Sequence, residues 1–231
     1  MEPAGGRAWV DCSCGLALAM FLASSAPAAP ESDLTQRNEA LAVTLLVYNY
    51  AHVTPALLKR SEGVASSIFA EAGLTIRWVD CPVSAGEVGQ YPKCHEALSS
   101  ADFTLRILPQ AMAETLLSAG EVMGSARECL PRARNCSADV YPYRVAGLAV
   151  GGVWDYQILG HAMAHEIGHL LLGANSHTAT GIMRAFWRPE DFQRMAAGYL
   201  LFNADQRERM QTTLRSRAAE KQITESAARQ P

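Results

Sequence analysis

The sequence predicts an α+β fold: a small mixed, twisted sheet with a crossover helix, a histidine-bearing helix and a long C-terminal helix. Three observations lead to this prediction. Apolar β-rich runs alternate with a helical pattern in the first half of the chain. Four of the six histidines fall within "HAMAHEIGHLLLGANSHTATGIM", residues 161–183, and a second helical pattern begins at Pro189. The length of 231 residues, 49% of them hydrophobic and 19% charged, fits one globular domain.

The first three elements follow from local patterns. The apolar run Leu41–Tyr50 predicts a buried strand. A helix follows, with Thr54 as its N-cap, Pro55 at its first position and Gly73 at its end. The alternating segment Leu74–Cys81 predicts a second strand. A strand, helix, strand order with a short crossover favours a parallel pair.

The later elements are less regular in sequence, and the segment from Gly120 to Ser137 shows no regular pattern. Pro142 favours an edge position for the strand that contains it, because proline cannot donate to a strand ladder. The predicted elements are strands over Asp102–Pro109 and Ala138–Val145, a helix from Asp155 to Gly173, and a last helix over Pro189–Ala218 that breaks near Asn203.

The N-terminal segment has the pattern of an export signal. The apolar run Gly15–Pro30 ends in small residues that fit a cleavage site, and it is short for a membrane span. We therefore expect a signal peptide over 1–29, a folded domain over 30–218 and a polar, disordered tail over 219–231. The expected location is secreted or periplasmic, with no stable membrane span after cleavage. The net charge of −3 gives no case for nucleic acid, and we expect a monomer.

The cysteines agree with export. Cys12 and Cys14 fall in the predicted signal peptide, and Cys81, Cys94, Cys129 and Cys136 remain in the mature chain. An even number in an oxidising compartment predicts disulfides. Four cysteines allow three connectivities, and the local one pairs Cys81 with Cys94 and Cys129 with Cys136. No Cys-x-x-Cys pair occurs among them, which disfavours a zinc site made of these cysteines.

The histidines form a pattern with specific chemistry. His165 and His169 lie one helical turn apart, so both imidazoles can bind one Zn²⁺ ion. Glu166 follows the first histidine and can act as general base towards a water at the metal. Gly173 can end the helix and turn the chain back, which brings His177 towards the metal as a third ligand.

The segment "HEIGHLLLGANSHTATGIM" resembles the metzincin signature of zinc metallopeptidases. That signature joins a His-Glu-x-x-His helix to a glycine turn, a third histidine and a methionine turn beneath the metal. The resemblance implies that Met183 supports the site and that Gly173 shapes it. It also implies a metzincin-like, or zincin, catalytic domain over 30–218. Compared with the usual spacing, Gly173 lies one residue later and His177 two residues later.

Other ligand and cleft assignments remain open. Gluzincins use a glutamate beyond the second histidine, and Glu190 or Asp191 could serve as such a third ligand. His161 is expected to be a structural histidine whose ring nitrogen bonds a nearby carbonyl. Aromatic residues that could line the substrate cleft are Tyr141, Tyr143 and Trp187.

The predicted function is a secreted zinc metalloendopeptidase that hydrolyses peptide bonds of a peptide or protein substrate. The site has one Zn²⁺ ion held by His165, His169 and His177, with Glu166 as general base. Two alternatives stay open. One is a zinc hydrolase of a non-protein amide such as a cell-wall component. The other is a secreted binding protein with a structural zinc, which needs no free carboxylate beside its ligands.

Overall fold

The computed structural model describes most of the chain beyond the predicted signal peptide: residues 41–84, 86, 90–94, 102–116, 122–127, 136–148, 152–173 and 175–228, with the side chains of 221 and 224–228 excepted. The predicted signal peptide with Cys12 and Cys14, and also His95 and Cys129, lie outside these residues. The predicted domain limits therefore stay predictions.

The chain forms five strands, six α-helices and a short 3-10 helix over Pro92–Cys94 among the described residues. The strands are β1 (Ala42–Asn49), β2 (Thr75–Cys81), β3 (Asp102–Ile107), β4 (Gly124–Ala126) and β5 (Ser137–Val140). The helices are α1 (Pro55–Glu71), α2 (Gln110–Leu116), α3 (Pro142–Val145), α4 (Asp155–Leu172), α5 (Pro189–Ala196) and α6 (Ala204–Ala228).

The strands form one mixed sheet in the order β2-β1-β3-β5-β4. β1 pairs in parallel with β2 and β3, and β3 pairs in parallel with β5. Only β4 runs antiparallel, beside β5. The predicted α+β architecture is confirmed: a mixed sheet, a crossover helix, a histidine-bearing helix and a long final helix.

The crossover helix α1 begins and ends where the sequence predicts. The Thr54 side chain accepts a hydrogen bond from the Leu57 backbone N–H at 3.3 Å, which satisfies one free donor of the first turn. Pro55 occupies the first helical position. Gly73 turns the chain into β2 with a φ of 74°, a conformation that glycine adopts without strain.

Helix α4 lies at the centre of the molecule and contacts α1, α6 and the strands β3, β4 and β5. It is buried on nearly all sides, including its histidine-bearing face. A Cβ atom on Gly160 would come within 2.6 Å of the Ser61 carbonyl oxygen on α1. The glycine therefore lets the two helices approach closely. Phe69 of α1 and Ile167 of α4 share the main core with Leu45, Phe103 and Leu105 of the sheet.

The region around Pro142 differs from the prediction. The strand ends at Val140, and Pro142 begins the short helix α3, where its missing N–H is harmless. β5 is internal to the sheet, because the three-residue strand β4 pairs along its outer side. β4 lies within the segment 120–137 that shows no pattern in sequence.

The C-terminal region forms two helices, as the predicted break near Asn203 requires. The second, α6, continues to Ala228, past the helix end expected at Ala218 and into the segment expected to be a disordered tail.

A disulfide joins Cys81 and Cys94, as in the local connectivity, and Cys136 is also disulfide-bonded. Within the described ranges, no helix is both long and apolar enough to cross a membrane.

Candidate metal centre

Helix α4 and the turn after it bring three histidines together. His165 and His169 lie one turn apart on α4, and the helix ends at Gly173. Gly173 has a φ of 84° and a ψ of −177°, which is a region essentially restricted to glycine. Asn175 also has a positive φ, of 58°. These two residues reverse the chain so that His177 faces the helix.

The ligand nitrogens of the three histidines converge on one point. The Nε2 atom of His169 lies 3.1 Å from the Nε2 atoms of both His165 and His177. All three ligand atoms lie within 4.8 Å of one another, so the group could hold a metal ion. Metal–nitrogen bonds of ~2.0–2.1 Å in tetrahedral geometry place ligand nitrogens about 3.3–3.4 Å apart, and the two pairs that include His169, at 3.1 Å, lie near this spacing.

The hydrogen bonds of the other ring nitrogens fix which atoms can bind a metal. The Nδ1 atom of His165 lies 2.8 Å from the Ile182 carbonyl oxygen, which can only accept, so Nδ1 carries the proton. The Nδ1 atom of His169 lies 2.8 Å from the Ser176 hydroxyl. In neutral His165 this leaves the Nε2 lone pair free for a metal, and in His169 the same holds when Nδ1–H donates to the Ser176 hydroxyl, which can donate or accept.

The environment keeps two of these imidazoles neutral. Burial lowers the pKa of His165 to about 4, with a smaller lowering from His177. Burial also lowers the pKa of His169 to about 4, with further lowering from the two other histidines. A neutral imidazole is the form that binds a metal, so the protein holds these ligands ready near neutral pH.

Glu166 is buried beside the histidine group and does not belong to it. Its relative exposure is 6%, and burial followed by the negative charge of Asp139 raises its pKa to about 8. Asp139 is itself held by Arg106 through two contacts of 2.6 Å. A divalent ion nearby would lower the pKa of Glu166 towards neutrality by favouring the charged carboxylate. A carboxyl group whose pKa lies near neutrality suits proton transfer at neutral pH.

The three histidines and Glu166 open into one cleft with a volume of about 940 Å³. One wall is formed by residues 122–127, which include β4, and another by the segment 184–187 after Met183. Aromatic side chains of this second wall are Phe186, which is exposed, and Trp187. The cleft is large enough for a peptide segment and is mainly apolar away from the histidines.

Met183 lies against Gly168 of α4, and Trp187 lies against the ring of His165. Met183 is fully buried, and its sulfur would lie 2.8 Å from a Cβ atom on Gly168, which sits between the two helical histidines in sequence. The Trp187 indole N–H donates to the Ile182 carbonyl oxygen at 3.0 Å. The same carbonyl accepts from His165, so the two side chains share one acceptor.

The other candidates for the third ligand have different partners. Asp191 is fully buried, and its carboxylate accepts from the Arg184 guanidinium at 2.6 Å and from the Arg188 backbone N–H at 3.0 Å. Glu190 is half-exposed and lies 3.6 Å from the same guanidinium. Among the described residues, neither belongs to the histidine group.

The remaining predictions have mixed outcomes. The structural role of His161 is confirmed, because its Nδ1 atom bonds the Gln157 carbonyl at 2.7 Å and the residue is buried. Trp187 lines the cleft as expected. Tyr141 does not: it is fully buried in the molecule, and its hydroxyl lies 2.7 Å from the Ser125 hydroxyl. Tyr143 packs against the buried cluster that contains Tyr141, and it is not among the residues that line the cleft.

Three residues of the site were not anticipated from sequence. They are Ser176, the Ile182 backbone carbonyl and Gly124, which lies against Glu166. Ser176 directly precedes His177, and that adjacency is a weak signal that sequence analysis could have used. A backbone carbonyl leaves no signal in the sequence.

No protein-family model matches the chain, and no curated protein matches it. One solved structure with a similar fold is metalloproteinase-II from Bacteroides fragilis, with 12% sequence identity and a TM-score of 0.49. The alignment covers 77% of this chain and 54% of that chain, so this protein spans about half the length of that structure.

Proposed function

We propose that the protein is a zinc-dependent metallopeptidase of metzincin-like type. His165, His169 and His177 bind one Zn²⁺ ion, Glu166 is the general base, and Met183 supports the site from behind. The observation that carries the proposal is the convergence of three imidazole Nε2 atoms beside a buried carboxyl group in one open cleft. Three protein ligands with an open fourth position are typical of catalytic zinc sites, whereas structural sites are closed.

Each side chain has a defined task in peptide hydrolysis. The zinc ion supplies Lewis acidity, which polarises the substrate carbonyl and makes water more acidic. Glu166 takes a proton from the attacking water and later delivers it to the amine that leaves. Ile182 and Ser176 hold His165 and His169 through their Nδ1 atoms, so that the Nε2 lone pairs point at the metal position.

The geometry of β4 supports a peptide substrate. This strand pairs with β5 on one side, and no second strand pairs with it among the residues that the structure describes. Its residues line the cleft together with the three histidines. An extended peptide can add to such an edge through main-chain hydrogen bonds, which would bring a peptide bond to the metal.

The proposal includes export to an oxidising compartment, secreted or periplasmic. The Cys81–Cys94 disulfide and the disulfide-bonded Cys136 support it, because such bonds persist mainly outside the cytosol. The predicted signal peptide over 1–29 and a monomeric state belong to the same proposal. Mass spectrometry of the exported protein would test the cleavage site near Ala26–Ala29.

The test combines metal analysis with peptide cleavage by the purified protein. We expect about one zinc ion per chain in the wild type and in Glu166→Gln, and loss of that zinc in His177→Ala. His52→Ala is the matched control, because His52 is an exposed loop histidine outside the site. Cleavage of a peptide library should fall by about 10²–10⁴ in Glu166→Gln while zinc is retained.

Other outcomes would select among the alternatives. Zinc that survives His177→Ala but not Glu190→Gln would indicate a gluzincin-like ligand set. Cleavage of non-protein amides only would change the substrate class and keep the chemistry. Tightly bound zinc without hydrolysis of any amide would make the protein a binding protein with a structural metal.

A further inference from the structure

Strand β4 lies close against helix α4 at Gly124. A Cβ atom added to this residue would lie 2.5 Å from Cγ and 2.8 Å from Cδ of Glu166, and 2.7 Å from the Asp139 carbonyl oxygen. Real Cβ atoms essentially never have contacts under 3.0 Å. The Glu166 side chain therefore occupies the space that a side chain at position 124 would need.

The strand has little freedom to move away from Glu166. Gly124 pairs with Val140 in the antiparallel ladder, and the Tyr141 backbone N–H donates to the Met123 carbonyl at 2.8 Å. The next residue, Ser125, is tied to the Tyr141 hydroxyl at 2.7 Å. Because Tyr141 is fully buried, this end of β4 is anchored in the interior.

Glu166 is the more mobile partner of the contact. Its backbone belongs to the middle of α4, but its Cγ and Cδ atoms can change rotamer. A side chain at position 124 would therefore displace the carboxyl group, and its 2.7 Å contact with the Asp139 carbonyl oxygen would also crowd the ladder with β5. The three nearest atoms to such a Cβ belong to Glu166 and Asp139, so we expect the histidine ligands to keep their positions.

We propose that Gly124 is a positioning residue for Glu166: the absence of a side chain on β4 lets the carboxyl group reach the water beside the metal. This inference rests on the proposed function, in which Glu166 is the general base. Gly124 acts on catalysis through the glutamate, because the position that a side chain would occupy faces Glu166, whereas the main chain of β4 remains available to a peptide. Its role is separable from metal binding, and the variant Gly124→Ala tests that separation.

The kinetic test compares zinc-loaded wild type, Gly124→Ala and Gly63→Ala on one peptide substrate. A Cβ atom at exposed Gly63 meets nothing within 4 Å, so this variant controls for the exchange of glycine for alanine. In Gly124→Ala, kcat should fall by about 10- to 100-fold, with KM changed by less than about threefold and zinc content unchanged. Unchanged kcat, or loss of zinc together with kcat, would overturn the proposal.

A second measurement tests the contact without using activity. In a double-mutant cycle, Gly124→Ala should lower the thermal midpoint by about 4 °C or more in the wild type. The decrease should be clearly smaller in the Glu166→Ala background, where part of the clash has been removed. Equal decreases in both backgrounds would show no coupling and would refute the inference. If the wild type hydrolyses no peptide, the proposed function fails, whereas this cycle still decides whether Gly124 positions Glu166.

Discussion

The carboxyl group of Glu62 on α1 makes the stability of the protein depend on pH in a calculable way. Glu62 has a relative exposure of 2%, and its Oε1 atom is buried without a hydrogen-bond partner. Burial, followed by the negative charge of Asp80 on β2, raises the pKa of Glu62 from 4.5 to about 7. Lys59 opposes this from 3.6 Å, but its side chain is 81% exposed and its charge is well screened.

The magnitude follows from the linkage between proton binding and folding. Between pH 4.5 and about 7, the unfolded chain loses the Glu62 proton while the folded protein keeps it. The free energy of unfolding therefore falls as the pH rises through this range. At about 1.4 kcal/mol per pH unit the upper limit is about 3 kcal/mol, and screening by water and Lys59 reduces our expectation to about 2 kcal/mol.

The substitution Glu62→Gln mimics the protonated side chain at every pH. We expect it to stabilise the protein by about 2 kcal/mol at about pH 8, which corresponds to about 4–8 °C in thermal midpoint. Near pH 4.5 the stabilisation should vanish. Urea or thermal unfolding at both pH values measures the difference, and Glu71→Gln, on an exposed position of the same helix, is the matched control. A stabilisation that is equal at both pH values, or a destabilisation at high pH, would refute this reasoning.

Three further predictions concern the surroundings of the metal centre. Gly168→Ala should destabilise the protein by about 1–3 kcal/mol in urea unfolding, because the new Cβ would lie 2.8 Å from the Met183 sulfur. Ser176→Ala removes the hydroxyl 2.8 Å from the His169 Nδ1 atom, and zinc affinity measured by chelator competition should fall by about tenfold. Burial lowers the pKa of His161 from 6.5 to about 4. As the pH falls through this range, the unfolded chain takes up a proton at His161 before the folded protein does, so the free energy of unfolding decreases. In the metal-free protein, His161→Gln should therefore lose less stability than the wild type between pH 6.5 and about 4; equal losses would contradict this assignment.

The elements with strong local signals were predicted from sequence alone. Helix α1 has its cap, its first-turn proline and its terminal glycine in the sequence, and β1 is a continuous apolar run of strand-forming residues. The histidine helix was predicted because residues four apart share a face, and that geometry needs no tertiary information. The local disulfide Cys81–Cys94 also follows from proximity in sequence.

The features that were missed depend on contacts distant in sequence. Strand β4 consists of Gly-Ser-Ala, which has no hydrophobic alternation, and it exists because it pairs with β5. That pairing makes β5 internal and buries Tyr141, which we had assigned to the cleft. The positions of Gly124 and the Ile182 carbonyl could not be predicted, because each acquires its role only when β4 or the segment after α4 meets the central helix.

Because His165 and Trp187 share one hydrogen-bond acceptor, the fluorescence of Trp187 can report which metal ion occupies the histidines. The two rings stand nearly perpendicular at 84°, with centroids 6.0 Å apart, and both donate to the Ile182 carbonyl. At such a separation, indole emission would be quenched by a coloured or paramagnetic ion such as Co²⁺ or Cu²⁺ at the histidines and left largely intact by Zn²⁺. Metal exchange could then be followed in real time from the intrinsic fluorescence, with Trp187→Phe as the reference that keeps only the emission of the other tryptophans.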